Sequence, residues 1–112
     1  MSIYATIEGI GDHGDPERLG APWAYQGSHI LPADSDPRGG EIGLALILIG
    51  GLVDPEVTDH GWPDATWGAG YFAQRVARAH DAVTGWAANH STEQLAHLLE
   101  AAADRAKAME AA

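Results

Sequence analysis

The first apolar positions of the chain alternate with more polar ones, which is typical of a half-buried strand. Ile3, Ala5 and Ile7 fall on one side of residues 2–9 if the chain is extended. Residues 23–31, which lie between Pro22 and Pro32, predict a second strand. The segments at 9–22 and 32–41 are dense in glycine, proline and aspartate, and predict loops.

The run "IGLALILI" at 42–49 is apolar on both faces, which favours a third, central strand. A buried helix is the alternative for this run, but its glycines favour the shorter element; they are Gly43, Gly50 and Gly51. About twenty residues without a long periodic pattern follow, and we expect a long loop there.

From Tyr71 the apolar spacing changes to that of a helix. The predicted stripe consists of Phe72, Val76, Ala79, Val83 and Trp86. This helix should end near Ala88, with Asn89 as a left-handed terminal residue. Ser91 and Gln94 have the spacing of a capping box and predict a second helix. Its stripe consists of Leu95, Leu98, Leu99, Ala102, Ala106 and Met109.

Together these elements predict one α+β domain over residues 1–112. Its parts are a strand-rich region at 1–50, a long loop at 51–70 and two helices at 71–112. We expect a small antiparallel or mixed sheet of about three strands, followed by an antiparallel helical hairpin. An Ala-rich stripe at 101–108 would permit close packing of the helices in a homodimer.

The charge of the chain is strongly acidic and unevenly placed. The formal net charge is -10; residues 1–70 hold eleven acidic and two basic residues, and residues 71–112 hold five and four. Direct binding to nucleic acid or to an anionic membrane is not expected, because few cations are present to neutralise phosphates. The sequence has no cysteine, which excludes disulfides and thiolate sites. No apolar run spans a membrane and no secretory signal is evident, so we expect a cytoplasmic protein.

The acidic loops are the candidate binding surface, and we expect them to face a basic protein surface. The residues concerned are Asp12, Asp15, Glu17, Asp34, Asp36, Asp54, Glu56, Asp59 and Asp64. On this interpretation the chain is a small accessory or interaction protein without catalytic activity and without a cofactor. Solubility alone is the simpler explanation of the acidity.

The tripeptide Asp-His-Gly occurs twice, at 12–14 and 59–61, and gives the alternative function. His13 and His60, with Asp12 and Asp59, would suit a divalent metal ion, since imidazole and carboxylate are its usual ligands when thiolates are missing. The chain would then be a metal-dependent enzyme or a metal-binding protein. Turn formation is the competing explanation, because aspartate and glycine favour turns.

Three segments of the first 50 residues, "MSIYATIEGIGDHGD", "YQGSHILP" and "RGGEIGLALI", carry a family resemblance. They resemble a group of small uncharacterised proteins of actinobacteria and their phages. The resemblance implies a link to phages but assigns no catalytic residue. The second half departs from that pattern, in which another strand usually precedes the final helix.

Overall fold

The computed structural model describes residues 3–12, 37–64 and 66–111, and every regular element in these ranges is a helix. In chain order they are α1 (Ile3–Asp12), α2 (Pro37–Val53), a short 3-10 helix (Pro55–Thr58), α3 (Ala69–Ala88) and α4 (Thr92–Ala111). The predicted α+β class is therefore wrong, because two of the three expected strands are helical. The third, at 23–31, lies outside the described residues.

Helix α1 replaces the first predicted strand. Ile3 and Ile7 are four residues apart, so a helix places them on one face as a strand does. Ile7 is buried and Ile3 packs against the core beside it. The backbone N–H of Tyr4, which has no partner within the first helical turn, donates to the Glu110 carboxylate of α4 over 3.1 Å. Three alternating apolar positions were too few to distinguish the two structures.

Helix α2 replaces the predicted central strand and forms the middle of the fold. Every residue from Ala45 to Ile49 is buried, since α2 packs against all three other helices and the 3-10 helix. A helix enclosed in this way is apolar on all sides, which is the same pattern as a strand covered on both faces. Pro37 is its first residue, a position where the missing N–H costs nothing.

Gly50 and Gly51 allow close packing on α2 and do not end the helix before Val53. A Cβ built on Gly50 would lie 2.7 Å from the Cβ and 2.8 Å from the Cα of Ala79 on α3. The backbones of α2 and α3 therefore approach more closely than a pair of larger residues would allow. The predicted loop at 51–70 begins only after Val53 and contains the 3-10 helix.

The two C-terminal helices are confirmed. Val76, Ala79 and Val83 of the α3 stripe are buried, with Phe72 and Trp86 partly buried beside them. The α4 stripe is also largely buried, although Met109 at its end is exposed. The buried residues of α4 are Leu95, Leu99, Ala102, Ala103 and Ala106. The prediction of a left-handed Asn89 is wrong, since its φ is −111°. Its side-chain amide donates to the Gly85 carbonyl.

The predicted hairpin packing of these two helices is also corrected. The connection between them is short, but α3 packs mainly on α2, whereas α4 packs mainly on α1 and also on α2. The alanines at 102, 103 and 106 therefore fill the interior of this chain. A homodimer through α4 would have to use the exposed residues of that helix.

The predicted capping box at the start of α4 is confirmed. Ser91 Oγ accepts from the Gln94 N–H over 3.1 Å, and Gln94 Oε1 accepts from the Ser91 N–H over 2.8 Å. Replacing Ser91 with alanine should lower the free energy of unfolding by about 1 kcal/mol, because it leaves a terminal N–H without its partner. Chemical denaturation measures this loss. Gln94→Ala should reproduce part of it, and an unchanged midpoint for both variants would contradict the role of the cap.

Candidate functional site

The candidate acidic surface is described only in its last part. Asp15, Glu17, Asp34 and Asp36 lie outside the described residues, and of Asp12 only the helical backbone is described. The remaining four carboxylates fall on residues 54–64, between α2 and α3, and this segment contains no lysine or arginine. These four residues are Asp54, Glu56, Asp59 and Asp64.

Asp54 and Glu56 belong to a structural junction with α3. The Asp54 carboxylate accepts from the Glu56 N–H over 3.1 Å and caps the 3-10 helix. Arg78 pairs with the Glu56 carboxylate and lies 3.6 Å from that of Asp54. Arg75 donates to the backbone carbonyls of Val57 and Glu56. These contacts place one positive charge, that of Arg78, beside two of the four carboxylates and fix the segment to α3.

The second Asp-His-Gly tripeptide forms a turn, as the turn interpretation predicts. Gly61 has a φ of 86°, a left-handed conformation that favours glycine, and its N–H donates to the Thr58 carbonyl over 2.9 Å. Asp59 and His60 are exposed on this turn. No described side chain pairs with the Asp59 carboxylate. The first tripeptide continues past α1 and lies largely outside the described residues.

Asp64 closes a second turn. Its Oδ1 accepts from both the backbone N–H and the hydroxyl of Thr66, over 2.8 and 2.6 Å. The hydroxyl bond, followed by the backbone bond, lowers the pKa of Asp64 from its ordinary value of 3.8. The turn also brings the backbone N–H of Trp67 within 3.1 Å of the Asp64 carbonyl.

Replacing Thr66 with valine should raise the pKa of Asp64 towards 3.8, because the hydroxyl that stabilises the charged carboxylate is lost. A depressed pKa means that these bonds stabilise the folded turn above the ordinary pKa, and that this contribution is lost as the pH falls through the folded value. NMR titration of the carboxyl carbon measures the change. Thr58→Val is the control, since the Thr58 hydroxyl bonds to the Pro55 carbonyl; an equal shift there would exclude the assigned cause.

Three aromatic rings meet beside these turns, and the sequence analysis missed them as a group. Tyr71, in the first turn of α3, lies edge-to-face with Trp67 at 4.7 Å between ring centroids and with His60 at 6.0 Å. Trp67 and Tyr71 are half-buried. We call these three rings, with Asp59 and Asp64, the aromatic–acid surface. A density of aromatic residues at 60–71 was the available signal.

The other tryptophans and histidines of the described residues have structural surroundings. Trp62 and Trp86 pack against the core. His90 stacks on Trp86 at 3.9 Å, and its Nδ1 lies 2.6 Å from the Trp86 carbonyl, so that nitrogen carries the proton. His80 Nε2 is buried, and no described group forms a hydrogen bond with it. None of these residues joins the aromatic–acid surface through a described contact.

The predicted metal ligands are only partly described. Within residues 3–12, 37–64 and 66–111, no group of three histidine or acidic side chains is placed to hold a metal ion. His60 and Asp59 lie on the exposed turn, and His60 has the Tyr71 ring as its neighbour. His13 and the Asp12 side chain lie outside the described residues. The metal site therefore stays a prediction.

Comparisons with protein families, with curated proteins and with solved structures return no match for this chain. The resemblance to actinobacterial and phage proteins therefore stays a prediction. Across the helices that the structure describes, none has the length and apolar character needed to cross a membrane.

Proposed function

We propose that this chain is a small acidic accessory protein, cytoplasmic and without catalytic activity, that binds a basic surface of a partner protein. The observation that carries the proposal is the segment at 54–64. It bears four carboxylates and no lysine or arginine, and contacts from α3 hold it in place. Two of these carboxylates, Asp59 and Asp64, have no described cation beside them.

The position of the carboxylates supports an interaction role. Asp59 and Asp64 are exposed, so a partner surface can reach them. Charged groups at a surface raise association rates and select partners of opposite charge.

Affinity capture on the immobilised chain tests the proposal, with the captured proteins identified by mass spectrometry. We expect basic proteins to be enriched at low ionic strength and released by about 0.3 M salt, because exposed charge pairs are screened over a few ångströms there. A variant with Asp59→Lys and Asp64→Lys should lose this enrichment.

The matched control carries Asp81→Lys and Glu93→Lys, which change the net charge equally at exposed positions of α3 and α4. This control should retain most of the capture. Enrichment that is insensitive to salt, or that both variants lose equally, would contradict a binding surface at 54–64.

The alternative function, metal binding through His13 and His60, makes a separate prediction. If both histidines are ordinary surface residues, a chelator should leave the melting temperature unchanged, and replacing both with alanine should cost no more than about 0.5 kcal/mol. Elemental analysis and thermal melts measure this. Stoichiometric metal whose removal lowers the melting temperature would establish the alternative.

A further inference from the structure

We infer that the aromatic–acid surface takes an arginine side chain of the basic partner. The inference rests on the proposed function and adds to it the point of contact and the chemical group that is recognised. It depends on the half-buried rings of Trp67 and Tyr71 and on the carboxylates of Asp59 and Asp64, which precede these rings along the chain. Asp59 adjoins His60, whose ring lies 6.0 Å from that of Tyr71, and the Asp64 carbonyl accepts from the backbone N–H of Trp67.

The rings provide a stacking platform. Trp67 and Tyr71 are nearly perpendicular, with an interplanar angle of 89°, and each keeps part of its surface accessible. A guanidinium group stacks on aromatic faces and is attracted by their negative potential, most strongly over tryptophan. An ammonium group lacks the flat surface that stacks in this way, which favours arginine over lysine.

The carboxylates supply the opposite charge. Both bonds from Thr66 reach Oδ1 of Asp64. No described donor bonds to Oδ2, so this oxygen can accept from an N–H of the partner. Asp59 is exposed beside His60. A guanidinium presents a fork of N–H donors that matches a carboxylate. Asp54 and Glu56 are poorer acceptors for a partner, since Arg78 already pairs with them.

Contacts within the chain hold this surface in place before a partner binds. Arg75 bonds to the 3-10 helix that precedes the Asp59 turn, and the Trp67 N–H bonds to the Asp64 carbonyl. Tyr71 belongs to the first turn of α3, where the Phe72 N–H donates to the Gly68 carbonyl over 2.9 Å. Ordering these groups beforehand lowers the entropic cost of binding.

Binding of three synthetic peptides tests the inference. They share one glycine–serine sequence and carry three arginines, three lysines or three citrullines. Each peptide is added to the full chain, and the NMR signal of the Trp67 indole is followed. We expect the arginine peptide to bind with a dissociation constant below about 1 mM. The lysine peptide should bind several-fold more weakly, and the uncharged citrulline peptide should not bind.

Two variants locate the contact. Trp67→Leu should weaken arginine-peptide binding by roughly two- to fivefold, the loss expected for one cation–π contact at an exposed site, and Trp67→Phe should weaken it less. Asp59→Asn with Asp64→Asn should weaken it comparably, because the asparagine amide oxygen can still accept from Thr66 while the charge is lost. Circular dichroism checks that each variant is folded.

Trp86→Leu is the matched control for the loss of an indole, since Trp86 lies near the opposite end of α3 and stacks on His90. It should leave the affinity unchanged. If basic peptides bind but Trp67→Leu has no effect, or lysine binds as well as arginine, the inference is wrong and the proposed function stands. If no basic peptide binds by about 1 mM, both are wrong.

Discussion

Replacing Leu46 with alanine is expected to lower the free energy of unfolding by about 2–5 kcal/mol. Leu46 lies in the middle of α2 and is fully buried, with 0% of its surface exposed. The shorter side chain loses the favourable transfer of its methyl groups and leaves a cavity that the surrounding helices fill only in part. Since small domains are stable by about 5–15 kcal/mol, urea denaturation should show a clear fall in the midpoint.

Leu52→Ala is the matched control for that prediction. It is the same substitution in the same helix, but 39% of the Leu52 surface is exposed. The expected loss is below about 1 kcal/mol, since fully exposed positions usually change stability by about 0.5 kcal/mol or less and Leu52 is partly exposed. Equal losses at the two positions would mean that α2 is not enclosed by the other helices, and the described architecture would be wrong.

Amphipathic segments were the part of this fold that the sequence could predict. In α3 and α4 one face is apolar and the other polar, so the spacing of Val76, Ala79 and Val83 distinguishes a helix from a strand. The capping box at Ser91 also locates the start of α4, because its hydrogen bonds join residues only three positions apart. Local signals of this kind do not depend on how distant segments pack.

The pattern failed for α1 and α2, where local signals fit two structures. Ile3 and Ile7 of α1 also share a helical face, and a run that is apolar on all sides does not reveal its period. Gly50 suggested that the segment is not a helix. The structure explains this glycine by its close contact with Ala79, which lies 29 positions further along the chain. Which helix α4 packs against was equally a tertiary property, and the predicted hairpin was wrong for that reason.

The sequence predicted a turn of the candidate site but not the side chains that pair with its carboxylates. The second Asp-His-Gly sequence predicted a turn, and Gly61 is left-handed there. The pairing of Arg78 with Glu56 joins residues 22 positions apart, and no spacing rule identifies such a pair. Glu56 therefore has a cation within the chain, whereas Asp59 has none among the described residues. Charge counted along the sequence therefore overstates the charge that this surface offers to a partner.

The contact between Gly50 and Ala79 gives the second large stability prediction. Gly50→Ala should lower the free energy of unfolding by about 1–3 kcal/mol, because the added methyl group would meet the Ala79 backbone at 2.8 Å and force α2 and α3 apart. Gly85→Ala on α3 is the control, since nothing lies within 4 Å of its new Cβ. That variant should gain roughly 0.5–1 kcal/mol from helix propensity alone. Because the same propensity gain applies at Gly50, urea denaturation of the two variants isolates the packing cost. A Gly50→Ala protein as stable as Gly85→Ala would show that the two helices are not in close contact.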